Sequence, residues 1–96
     1  MQSTGTFATA HASKYLQQLC KHFAHKVDVS HDTTQGRVAL PLGPVDLTAD
    51  DATLTVTVTA PDAEGITRAQ SVIDRHLAPF AFREAFQTLG WQPART

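Results

Sequence analysis

Cysteine is almost missing from this chain: Cys20 stands alone. No internal disulfide can form, which fits a reducing compartment. Long hydrophobic runs are missing as well. No uncharged apolar stretch approaches the roughly 18 residues that cross a bilayer, and no basic segment followed by an apolar one opens the chain. The expectation is a cytoplasmic protein that is neither exported nor embedded in a membrane. The five glycines are dispersed, so no glycine-rich loop cradles a phosphate, and there is no nucleophile elbow, paired CxxC or HExxH. Ser13 and Ser71 have no evident base and acid partners. Repeats and low-complexity stretches are absent too.

Carboxylates are missing from the first 27 residues. All nine lie between Asp28 and Glu84, whereas the three lysines, Lys14, Lys21 and Lys26, sit in that opening segment with His11, His22 and His25. The net charge of -1 therefore hides a basic beginning and a mildly acidic remainder. Three lysines make a solvated helix face rather than a nucleic-acid surface, so no nucleic-acid partner is expected.

What is present is a clean change of period. From about Thr9 to Lys26, Ala12, Tyr15, Leu16, Leu19, Cys20, Phe23 and Val27 recur at three- and four-residue steps, one face of a helix, with Thr9 as its N-cap. After Val27 the period becomes two. Val27 and Val29, then Val38, Leu40 and Leu42, then Val45 and Leu47 alternate with polar or small neighbours, and each run ends in turn residues. The clearest strand is Thr53–Thr59, with Leu54, Val56 and Val58 on one side and four threonines on the other. Thr4–Phe7 reads as a short opening strand.

Pro61 and Asp62 open a second helix, with Pro61 in its first turn. Ile66, Ala69, Ile73, Leu77 and Phe80 form its stripe, and Pro79 disfavours its continuation. Phe80, Phe82, Phe86 and Trp91 crowd the remainder, too much apolar surface to stand in water. Ala85–Trp91 fits either a closing strand or a helical turn ended by Gly90; the strand is preferred. Ninety-six residues suit a single α+β domain over 1–96. Its order is (β)-α-β-β-β-β-α-(β), a two-layer sandwich with both helices on one face of an antiparallel sheet of four to six strands. The threonine face is left to solvent or to a second copy of the chain.

Metal-ligand spacing is suggested by Cys20, His22 and His25, but helix geometry counts against it. Cys20 and His22 lie about 160° apart around the axis, and no carboxylate accompanies His22 and His25 on this helix. No metal and no cofactor is expected. A sharper candidate is a groove between the helices, rimmed by His22, His25, Lys26, His76 and Arg83, that takes a small anionic ligand. The plain alternative is a set of boundary histidines bonded to backbone or water.

Tyr15-Leu-Gln-Gln-Leu-Cys-Lys-His-Phe-Ala-His-Lys26, followed by the Leu54 strand and His76-Leu-Ala-Pro-Phe-Ala-Phe-Arg-Glu84, resembles the bacterial domain-of-unknown-function family 2218. The resemblance implies a compact α+β domain without assigned catalytic residues, in some proteins joined to flavin-dependent siderophore-interacting partners. It implies a link to siderophore or iron handling by association only. The expected function is a non-catalytic accessory domain that binds a small ligand or a protein partner. The alternatives are a homodimerising interaction module using the threonine face and a small enzyme of unrecognised type.

Overall fold

Alternation and helical stripes divide the chain in the order expected. The computed structural model describes residues 1–95. Its elements are β1 (Gln2–Ala8), α1 (Ala12–Phe23), β2 (Val29–His31), β3 (Gln35–Leu40), β4 (Gly43–Ala49), β5 (Thr53–Thr59), α2 (Ala63–Leu77), a 3-10 turn (Phe82–Glu84) and β6 (Gly90–Trp91). The strands form one antiparallel sheet in the order β2-β3-β4-β5-β1-β6. Short connections make β2 to β5 a meander. The first strand then closes on the last long one, with Gln2 opposite Thr59 and Ala8 opposite Thr53.

Register puts every large aliphatic side chain of the sheet on one face. Val38 is opposite Val45, Val45 opposite Val58 and Leu47 opposite Val56, and all five are buried. The other face carries polar rows such as Arg37, Asp46, Thr57 and Thr4, which pair in sequence across four strands. Among the described residues no second layer covers this face, as antiparallel sheets permit. Helix α1 lies over β2 to β5, and α2 over the β5 side. Their stripes, Ala12, Tyr15, Leu16, Leu19, Cys20 and Phe23 on one helix and Ile66, Ala69, Ile73 and Leu77 on the other, are buried in one cluster with the sheet.

Two glycines let the layers close. A Cβ on Gly36 would stand 2.6 Å from the Cys20 sulfur, and one on Gly5 would stand 2.6 Å from the Trp91 ring. The helix and the indole therefore rest directly on strand backbone at these points.

The element boundaries depart from the sequence expectation where side chains have other tasks. Helix α1 begins at Ala12 rather than Thr9, and its N-cap, His11, makes no side-chain cap bond. The Thr9 hydroxyl instead accepts the His11 N–H at 3.0 Å while donating to Glu84. The helix ends at Phe23, so His25 and Lys26 lie in the turn beyond it. Pro61 stands outside α2; Asp62 is the N-cap and accepts the Gly65 N–H at 2.8 Å. The closing strand is only Gly90–Trp91, not Ala85–Trp91. Ahead of it Ala85 adopts a left-handed conformation (φ 54°) that ends the 3-10 turn and breaks any regular run.

Candidate functional site

The segment after α2 runs back along α1 towards its start, and its aromatics decide how it docks. Phe86 packs edge-on against Phe7 at 4.9 Å, and Phe7 stacks on Tyr15 at 6.2 Å. Further along, Asp74 of α2 ties down the rest. Its carboxylate accepts the Thr88 hydroxyl at 2.7 Å, the Leu89 N–H at 3.0 Å and the Trp91 indole N–H at 3.1 Å. The segment is thus pinned by Phe86 on the β1 and α1 side and by Asp74 of α2, and a cleft is left between its first part and α1.

This cleft has a volume of about 530 Å³ and is walled by His11, Lys14, Tyr15 and Gln18 of the first helical region and by Pro79, Phe80, Phe82 and Arg83 opposite, with Glu84 at one end. Tyr15 donates its hydroxyl hydrogen to Glu84, and Thr9 donates to both carboxylate oxygens at 2.8 and 3.0 Å. These bonds hold the Glu84 carboxyl below its usual range, chiefly through Tyr15; partial desolvation opposes them, and Thr9 and the nearby His11 add to the lowering. Burial, then the hydrogen bond and charge of Glu84, push the Tyr15 phenol up to about 12. The one anion of the cleft is therefore already occupied.

Its cations are not. Among the described residues the ion pairs are Arg37–Asp46 and Arg68–Glu64, so neither Lys14 nor Arg83 is matched to a carboxylate. The Arg83 guanidinium lies 5.7 Å from the centre of the Phe82 ring, and Phe82 is 65% exposed. On the inner wall, the Gln18 side-chain oxygen is buried without a hydrogen-bond partner. Aromatic walls and two free cations form one surface.

The residues singled out from the sequence are distributed unevenly along this seam. His22 and His76 come together, with ring centroids 5.0 Å apart, and both border Phe80 or Phe23. Arg83 lines the cleft together with Phe80. His25 and Lys26 are exposed on the turn after α1 and line no part of the cleft. Sequence reasoning did not single out Lys14 or Glu84 for the site, or Asp74 as the anchor of the last segment. The Glu84 signal was its place at the end of the His76–Glu84 block.

A second concavity of about 470 Å³ lies on the β2–β4 end of the sheet, beside His31, Arg37 and Asp46. There Arg37 and Asp46 face each other at 3.5 Å, and Asp32 is held below the usual carboxylate range by the N–H groups of Thr34 and Gln35 that it caps. Its charges answer one another, which leaves the α1 cleft as the candidate site. Among the described residues no helix is long and apolar enough to cross a membrane.

The same fold is found in the NMR structure of PA4090 from Pseudomonas aeruginosa, with a TM-score of 0.81, 28% sequence identity and coverage of 99% of this chain and 98% of that one. No curated protein matches the chain. Residues 4–92 match the family described as "Uncharacterized protein conserved in bacteria (DUF2218)". With the match running through both helices and all six strands, the chain belongs to this uncharacterised bacterial family.

Proposed function

We propose that this protein is a non-catalytic binding domain whose cleft between α1 and the Pro79–Glu84 segment takes a small anionic ligand with an aromatic or otherwise apolar body. The observation that carries the reading is the pairing of unmatched cations, Lys14 and Arg83, with the Tyr15, Phe80 and Phe82 walls, in a cleft whose own carboxylate is engaged by Tyr15 and Thr9. A guanidinium offers a planar fork of donors to a carboxylate, and aromatic walls bury the attached ring. Catecholate siderophores belong to this chemical class, and the resemblance to domains joined to siderophore-interacting flavoproteins makes them the specific ligand proposed.

Thermal unfolding with benzoate, 2,3-dihydroxybenzoate and a ferric catecholate tests this. Native-state binding raises the midpoint by mass action, and the doubly substituted Lys14→Gln/Arg83→Gln protein loses that rise. Equal stabilisation by neutral benzamide, or none by any of the three anions, contradicts the reading. Pairing of two chains through the threonine face is the competing proposal; its support is that this face is uncovered, and against it stands the polar character of its rows.

A further inference from the structure

Two histidines from different helices meet where helical spacing on either one alone gives no ligand set. We propose that His22 of α1 and His76 of α2 form a two-imidazole site for a borderline transition-metal dication such as zinc, nickel or copper. Three observations carry it. Their ring centroids are 5.0 Å apart, and two imidazoles bound at about 2.0 Å to one tetrahedral ion hold their centroids about 5 Å apart. The second observation concerns the tautomer of His76. Its Nδ1 lies 2.6 Å from the Val72 carbonyl oxygen; a carbonyl only accepts, so Nδ1 carries the hydrogen and the Nε2 lone pair of the neutral ring is free. A backbone carbonyl on the second ring nitrogen is the arrangement by which proteins orient metal-bound histidines.

The third is access with restraint. His22 is exposed, so an ion reaches the pair from solvent, while the Phe23 ring, 4.9 Å from His76, and the Phe80 ring, 6.3 Å from His22, limit how far either imidazole swings. Among the described residues no group of three or more His, Cys, Asp or Glu could hold a metal, so the remaining coordination positions fall to water. Imidazole nitrogen selects zinc, nickel and copper over magnesium and calcium. The site uses neither Lys14 nor Arg83, so it stands or falls apart from the anion cleft.

Calorimetric titration of the full chain with zinc chloride alone, repeated with nickel, tests the assignment. One equivalent binds, His22→Gln and His76→Gln each weaken binding about tenfold or more, and His25→Gln, on the exposed turn, leaves it unchanged. No zinc or nickel binding by the unsubstituted chain overturns the proposal. So does an unaltered isotherm for His22→Gln, or a loss with His25→Gln as large as with His22→Gln. Should His76→Gln fail to fold, His22→Gln decides alone, because its side chain is exposed.

Discussion

Tyr15 is the one tyrosine in the chain, so its titration can be followed without interference and reports on its burial and then on its bond to Glu84. The folded phenol, at about 12, lies above the unfolded value of about 10. Its contribution to stability is complete below about pH 10 and is lost as pH rises towards 12. Glu84 runs the other way. Its folded carboxyl lies below the usual range, so its contribution is present above about pH 4.3 and is lost as pH falls through the folded value. Absorbance titration should place the phenol near 12, and Glu84→Gln should move that midpoint down; an unchanged midpoint would show that Glu84 does not reach the hydroxyl. A second contact at this scale is Cys20 on Gly36. Burial raises the Cys20 thiol to about 11, so it acts as a small apolar filler rather than a nucleophile. Gly36→Ala forces its new methyl against that sulfur and should cost about 1–3 kcal/mol. In urea unfolding the double substitution Gly36→Ala/Cys20→Ala should cost less than the sum of the two singles, because the clash is shared.

Among the elements, the last segment is the one whose order is decided by side chains remote in sequence. Asp74→Ala removes the acceptor of Thr88, Leu89 and Trp91 together and should cost about 1–3 kcal/mol. Hydrogen exchange should accelerate at the Leu89 amide, and the fluorescence of Trp91, the one tryptophan, should shift to the red, while α1 amides keep their protection. Loss of protection throughout the molecule would mean that the segment is part of the cooperative core and not an attached flap. The same element marks where sequence reading ends. Both helices and the Thr53–Thr59 strand were legible because one period of burial determines each, and Leu54, Val56 and Val58 needed no partner to be placed. Phe82, Phe86 and Leu89 fit two periods, and the choice was made by Asp74 and by a left-handed Ala85, neither of which leaves a local signature. For the site, the meeting of His22 and His76 followed from the two stripes facing one layer. The cleft cations did not: Lys14 borders a helix face that reads as solvated until the Pro79–Glu84 segment walls the other side of the cleft.

For the whole molecule, one covered and one uncovered sheet face is the defining asymmetry. The covered face holds the aliphatic side chains. The uncovered one is threonine with an Arg37–Asp46 pair, and a Thr4–Thr57 hydroxyl contact at 3.0 Å satisfies part of it internally. Stable homodimer interfaces are more apolar than this. Light scattering should therefore find a monomer at micromolar concentration, and a dimer that resists dilution would transfer the functional reading to that face. The cleft lies on the helix layer, formed by the start of α1 and the chain just beyond α2, so binding there needs no second copy. Chemical-shift mapping of the folded chain during titration with 2,3-dihydroxybenzoate tests this most directly. Saturable shifts should concentrate at residues 11–18 and 79–84; saturable shifts concentrated instead on the Arg37, Asp46 and Thr57 row, with the cleft amides still, would contradict binding in the cleft.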